Sequence, residues 1–110
     1  MIIQKRESYM KNGYNILWTD NALKELAETI TYLENNWTEK ELKKLANSLE
    51  NILKLISQNP YLFQVSDYKP QIRRAVILSL NTLYYRVLAN DVEIISFFSN
   101  RKNPEKRKLK

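Results

Sequence analysis

Residues 72–98 read IRRAVILSLNTLYYRVLANDVEIISFF, and the fold follows from how this stretch divides. It holds three β-favouring runs, Ile72–Leu78, Leu83–Ala89 and Val92–Phe98, each dense in branched and aromatic side chains. Leu80-Asn81 and Asn90-Asp91 stand at the joints, where Asn and Asp tolerate the backbone of a tight turn. Joints this short leave no room for a crossover, so the runs are expected to pair antiparallel as a meander.

Upstream, Tyr14–Trp18 (YNILW) is the expected first strand. Thr19 or Asp20 then caps a helix whose apolar positions, Ala22, Leu23, Leu26, Ala27, Ile30, Leu33 and Trp37, follow one face. Lys24, Glu25, Glu28, Thr31 and Glu34 take the other face, and Asn35-Asn36 ends the helix. Thr38 and Glu41 form a T-x-x-E capping box that opens a second helix almost at once. Its Leu42, Leu45, Ala46, Leu49, Ile52, Leu53 and Ile56 repeat the one-sided pattern, so the helices are predicted to fold back as an antiparallel hairpin. Gln58–Lys69 (QNPYLFQVSDYK) reads as a connecting loop, with Tyr61, Leu62 and Phe63 expected to tuck against the core. Trp18 and Trp37 are expected as core or hairpin-packing residues. The predicted class is α+β in the order β-α-α-β-β-β: an antiparallel sheet with an α-helical hairpin packed on one face. The place of the first strand in the sheet stays open.

Composition narrows the chemistry. The chain of 110 residues is the size of one domain and has no cysteine and no histidine. A zinc site, a serine or cysteine triad and a His–His ribonuclease therefore drop out, and neither metal nor cofactor is expected. The longest apolar runs, Val76–Leu78 and Ile94–Phe98, are too short to span a bilayer. The N-terminal MIIQKRESYMKNG lacks the apolar core of a signal peptide, so a cytoplasmic protein is expected, with no membrane partner. Residues 1–13 read as a loosely ordered extension, residues 14–104 as the domain and residues 105–110 as a basic tail; Met10 stands as an alternative start.

The net charge of +6 is unevenly placed. Residues 1–55 carry eight Lys/Arg and eight Asp/Glu, whereas residues 56–110 carry ten against four. The asymmetry points to an anionic partner for the C-terminal half, either nucleic acid or an acidic protein segment. The tail group Arg101, Lys102, Lys106, Arg107, Lys108 and Lys110 would add affinity that is long-range and salt-sensitive, without sequence specificity.

Several short pieces, in order, carry a resemblance. Trp18-Thr19 with Ala22 is similar to the first strand and helix start of the ParE-like branch of the RelE/ParE toxin superfamily. Ile30, Tyr32, Leu33 and Trp37 resemble its helix end, and Pro60 its loop. Ile72-Arg73, Leu83-Tyr84-Tyr85-Arg86-Val87, Ile94-Ile95 and Arg101-Lys102-Asn103-Pro104 resemble its remaining strands and the segment after them. The resemblance runs from Tyr14 to about Pro104. It implies a toxin of a type II toxin–antitoxin system, held in a hetero-oligomer by an antitoxin encoded beside it. An acidic C-terminal segment of that antitoxin is expected to wrap the toxin.

Within the superfamily the ParE-like reading implies inhibition of DNA gyrase by binding alone. Arg73, Arg74, Arg86, Arg101, Lys102 and Asn103 are then the candidate target-binding residues. The RelE-like alternative implies a metal-independent endoribonuclease acting on messenger RNA in the ribosome. Its His-free site would draw on Lys69, Arg73, Arg74 and Arg86 as cations and Tyr85 or Tyr84 as a phenol. Such members keep a basic residue at the start of the third strand and a Tyr or His near the C-terminus. Here Thr82 stands at the first position, and no aromatic residue follows Phe98. Both departures favour the non-enzymatic reading. A third reading is a non-toxic nucleic-acid-binding module in which Tyr84-Tyr85-Arg86 stacks bases. Strand alternation sets Tyr84 and Arg86 on one face and Leu83, Tyr85 and Val87 on the other, so the trio cannot share one task. Arg86 has an equally good bland role, in an ion pair that fixes the fold.

Overall fold

The computed structural model describes residues 6–8, 13–67 and 69–100. Strands β1 (Arg6–Ser8) and β2 (Asn15–Trp18) precede helices α1 (Asp20–Asn36) and α2 (Glu39–Gln58). Strands β3 (Arg73–Ile77), β4 (Asn81–Leu88) and β5 (Asp91–Ser99) follow. From Asn15 onward the order is the predicted β-α-α-β-β-β, with the helical hairpin packed on one face of the sheet. Where a loose extension was expected, residues 6–8 add a short strand ahead of it.

The sheet order is β1-β2-β5-β4-β3. The meander β3-β4-β5 is antiparallel as the short joints require. Strand β2 pairs parallel with β5, Ile16 opposite Val92 and Trp18 opposite Ile94, so the sheet as a whole is mixed. The two helices between β2 and β3 supply the crossover that a parallel neighbour needs.

Helix α1 starts where predicted. The Thr19 hydroxyl accepts from the Ala22 amide at 3.1 Å, which satisfies one orphan donor of the first turn. Its buried residues Ala22, Leu26, Thr29 and Leu33 form one stripe. Leu45, Leu49, Leu53 and Ile56 do the same on α2. They meet Ile16, Trp18, Ile77, Leu83, Tyr85, Val92, Ile94 and Phe97 from the sheet in a single core. Burying one such Leu is worth about 1.5–3 kcal/mol, so the two stripes are what hold the hairpin down. The T-x-x-E motif works differently from a full capping box. Thr38 is the N-cap, but its hydroxyl donates to the Glu41 carboxylate at 2.8 Å and accepts from no backbone amide.

Two packing expectations need correction. Trp18 is fully buried, but Trp37 closes α1 at the hairpin tip and is 38% exposed. Phe63 packs against the core, whereas Tyr61 and Leu62 stand out of it, 57% and 55% exposed. Both exceptions lie where the chain turns and no second element arrives to cover them.

Strand β5 contains a bulge. Tyr84 pairs with Ser96 and Tyr85 with Ile94, which leaves Ile95 as the extra residue. The inward-facing set therefore changes parity, from Val92 and Ile94 to Phe97. The backbone groups freed there are taken by the start of α1. Thr19 Oγ1 donates to the Ile94 and Ile95 carbonyls (2.9 and 3.2 Å). Asn21 also donates to the Ile95 carbonyl, at 3.2 Å. Glu25 accepts from the Phe97 amide at 3.0 Å and the Ser96 hydroxyl at 2.7 Å. Past Trp18 strand β2 has ended, and α1 covers the edge of β5 that would otherwise be open.

Asn90 lies in the β4–β5 turn as expected, but Asn81 does not lie in the β3–β4 turn. Positive φ occurs at Leu78 (52°), Ser79 (61°) and Ala89 (45°). Asn81 has been drawn into β4, where it is buried and donates to the Thr29 hydroxyl at 3.1 Å. Its amide serves to tie sheet to helix, and the left-handed backbone falls to Leu78, Ser79 and Ala89, which lack an Asn side chain, each at a cost of about 1–2 kcal/mol.

Candidate functional site

Strand alternation sorts the candidate residues before any side chain is considered. On β3, Arg73, Ala75 and Ile77 share the helix-facing side, while Arg74 and Val76 share the open side. On β4, Leu83, Tyr85 and Val87 face the helices, and Tyr84, Arg86 and Leu88 face away. The neighbouring arginines of the sequence thus belong to different surfaces.

Arg73 and Tyr85 are directly paired across β3 and β4, and both hold the loop after α2. Arg73 Nη1 donates to the Phe63 carbonyl at 2.7 Å, and its guanidinium lies 5.1 Å from the centre of the Tyr61 ring. That distance is within range of a cation–π contact. The Tyr85 hydroxyl donates to the Pro60 carbonyl at 2.6 Å. Burial pushes this phenol up to about 12, against the opposing pull of the Arg73 guanidinium and a backbone hydrogen bond from Phe63. With its ring wholly buried, Tyr85 keeps its proton at physiological pH and has no open path to a substrate. These two residues form a clasp on the loop.

Arg74 sits on the open side. The Gln64 amide, turned with its oxygen toward the guanidinium, accepts from Arg74 Nη2 at 2.6 Å and Nε at 3.0 Å. A cleft of about 380 Å³ opens here between Leu62, Phe63 and Gln64 of the loop and Arg74, Ala75 and Val76 of β3. Among the described residues neither Arg73 nor Arg74 has a carboxylate partner.

Lys69 and Arg86 come together in a second cleft of about 180 Å³, with Thr19, Gln71, Ile72, Glu93 and Ile95. Arg86 Nε meets the Glu93 carboxylate at 2.6 Å in a cross-strand pair, so part of its charge is already answered. The Arg86 side chain keeps 46% of its surface in water. Five candidates thus resolve into a structural pair, Arg73 with Tyr85, and three residues on accessible ground, Lys69, Arg74 and Arg86. Arg101, Lys102 and Asn103, with the rest of the tail, lie outside the described residues.

Sequence reading missed the loop as a participant. Residues 64–66 run along β3 in a single bridge, Val65 opposite Arg73. The Ser66 amide donates to the Ile72 carbonyl at 2.6 Å, and the Arg74 amide to the Gln64 carbonyl at 3.0 Å. The alternation in Phe63-Gln64-Val65-Ser66 was the available signal, too short beside Pro60 to read as a strand. No helix among the described residues is long and apolar enough to cross a membrane.

A mixed sheet backed by a helical hairpin, with Arg74 and Arg86 on the side away from the helices, defines a small basic α+β domain with no histidine or cysteine. The chain belongs to the ParE toxin family of type II toxin–antitoxin (parDE) systems, which it matches over residues 16–104. Among solved structures it is similar to the chromosomal ParDE toxin–antitoxin system from P. aeruginosa, with a TM-score of 0.63 at 15% identity. That likeness covers 76% of this chain and 92% of the other, and at this identity it speaks for the fold. No curated protein sequence matches.

Proposed function

We propose that the protein is a toxin that inhibits DNA gyrase by binding it, and that its cognate antitoxin neutralises it through an acidic C-terminal segment. The family and the ParDE likeness support a type II toxin and an antitoxin partner. The observation that carries the non-enzymatic reading is the fate of Tyr85. Of the two phenols nominated for acid–base work, Tyr85 is sealed in the core with its proton committed to a backbone carbonyl, and Tyr84 is buried as well. A binding surface needs less: Lys69, Arg74 and Arg86 on the open side, joined by Arg101, Lys102 and Asn103. Toxin, antitoxin and gyrase would meet in the cytoplasm.

The RelE-like reading keeps one observation in its favour, the shared cleft of Lys69 and Arg86, which suits a phosphate. Two assays on protein released from its antitoxin separate the readings. Loss of gyrase supercoiling with cleaved DNA accumulating, and messenger RNA intact on programmed ribosomes, is the expected result. Cut RNA with normal supercoiling would replace it with the ribonuclease reading. Neither effect, together with equal growth whether or not the neighbouring gene is co-expressed, would leave a nucleic-acid-binding module.

A further inference from the structure

Two cations and one carboxylate, Lys69, Arg86 and Glu93, line the cleft of about 180 Å³ beside β4 and β5. Its ion pair among the described residues joins Arg86 Nε to Glu93 at 2.6 Å. Lys69 and the two Nη groups of Arg86 are left without an acidic partner among those residues. Asp67, two residues before Lys69, is exposed and does not pair with it. Lysine seldom leaves the surface unless it is paired, yet Lys69 is partly buried here. The cleft therefore carries one uncompensated positive charge.

Both walls are fixed. Residues 69–72 form a turn with Pro70 in its second position, closed by the Ile72 amide donating to the Lys69 carbonyl at 3.1 Å. Ile72 is itself buried, and its carbonyl accepts from the Ser66 amide at 2.6 Å. The backbone of Lys69 is thereby tied down, and only its side chain is left to adjust. On the other wall Glu93, less exposed than Arg86, holds Nε and sets the plane of the guanidinium. Held there, the fork still offers its end, two parallel N–H groups that match two oxygens of an oxyanion. Thr19 is already committed to the Ile94 and Ile95 carbonyls, whereas the Gln71 side chain is exposed at the mouth.

Size and charge narrow the occupant. Sites for drug-sized ligands begin at roughly 300 Å³, so this cleft takes one small group and not a whole nucleoside. A halide has no geometry to match the fork, and a carboxylate that filled it would leave Lys69 unanswered. A tetrahedral phosphate has oxygens enough for both cations.

We propose that this cleft binds a single phosphate group, either free or at the end of a nucleotide. Arg86 takes two oxygens through Nη1 and Nη2, Lys69 and Gln71 take the others, and Glu93 is a positioning residue that orients the fork. The site stands apart from the gyrase and antitoxin readings, and from RNA cleavage, which needs an acid and a base as well.

The test uses the full chain at neutral pH and fixed ionic strength. Inorganic phosphate, adenosine monophosphate, acetate and chloride are titrated separately, with binding read by calorimetry and by the NMR signals of the Lys69 and Arg86 side chains. Phosphate is expected to saturate and to move both signals, and acetate and chloride to do neither. Tighter binding of the nucleotide than of phosphate assigns the site to a nucleotide, and equal binding to free phosphate; both support it. Lys69→Gln and Arg86→Gln should each weaken phosphate binding roughly tenfold or more. Lys54→Gln, which removes the same charge from an exposed position on α2, should leave it unchanged. Glu93→Gln keeps an oxygen for Nε and removes a negative charge beside the anion, so it should bind phosphate more tightly. Weaker or unchanged binding there overturns the role given to Glu93. A wild type that does not saturate with phosphate, or that responds equally to acetate or chloride, overturns the site without help from any variant. Lys69→Gln binding as Lys54→Gln does would overturn it too.

Discussion

Arg73 and Arg74 are adjacent in the chain and opposite in fate. The first turns toward the helices, donates to the Phe63 carbonyl and covers the Tyr61 ring. The second turns away and, among the described residues, meets the Gln64 amide at the rim of a cleft. One step along the paired strand the same division recurs, with Tyr85 sealed in the core and Arg86 nearly half in water. Polar groups on the inner side of the sheet are bound to backbone and hold a loop in place. On the outer side Tyr84, Thr82 and Ser96 are buried, whereas Arg74, held by a neutral amide, and Arg86, in a half-exposed ion pair, can be lent to something else. A basic composition therefore overstates the binding surface, because part of the charge is structural.

The largest effect that separates the two sides is removal of the inner phenol. Tyr85→Ala is expected to destabilise the protein by about 3–5 kcal/mol, the usual range for an aromatic ring deleted from a packed core. Arg74→Ala, one strand away on the open side, should stay within about 0.5 kcal/mol. Urea unfolding followed by Trp fluorescence measures both. Similar losses for the two variants would dissolve the distinction between a structural and an available side.

A gentler change sharpens the same comparison through pH. In the fold the Tyr85 phenol titrates near 12, above its ordinary value of 10.0, so the folded state holds this proton more tightly than the unfolded chain. Its contribution is complete below pH 10 and is lost as pH rises through about 12. That difference corresponds to about 2–3 kcal/mol across the window. Tyr85→Phe lacks the titrating group and should lose correspondingly less stability over the same range, after giving up about 1 kcal/mol at neutral pH with its bond to Pro60. Parallel alkaline curves for the two proteins would assign the loss to other groups.

How much of this division was readable in advance depends on the distance over which each feature is decided. The helices were legible because Leu26 and Leu33, or Leu45, Leu49 and Leu53, declare their face within a few turns, and Thr19 announces the first start. The three strands of the meander were legible from composition and short joints. The parallel partner of β2 was not, since Asn15–Trp18 carries no trace of which distant strand it will join. The bulge was hidden as well: Ile94-Ile95 and Phe97-Phe98 are apolar doublets, and one extra residue among them leaves no mark on the pattern. At the site, the split of Tyr84 from Tyr85 followed from alternation alone. The split of Arg73 from Arg74 was harder, because Ala75 and Ile77 are no more apolar than Ile72 and Val76. Only the helices' choice of side decides between them. The loop partner Phe63 stayed invisible because Arg73 reaches its backbone carbonyl, which no residue type advertises, and Gln64 because nothing in its neighbours marks a meeting with Arg74.

The smallest effect bears most directly on function. Arg86 and Glu93 are in good contact at 2.6 Å, yet the arginine side chain is 46% exposed and the carboxylate 25%. Solvent screening limits such a pair, and a double-mutant cycle with Arg86→Ala and Glu93→Ala is expected to give a coupling of about 0.2–1 kcal/mol, shrinking as salt is added. Arg73→Ala offers the contrast, since it leaves the Phe63 carbonyl without its donor and should cost about 1–3 kcal/mol with little salt dependence. A coupling for Arg86–Glu93 as large as the Arg73 effect and indifferent to salt would make Arg86 a fixture of the fold. A weak, screened coupling means that Arg86 can leave Glu93 for a phosphate or a carboxylate on a partner with little loss of stability. In that case the outer side of the sheet can exchange partners while the inner side keeps the loop where it is.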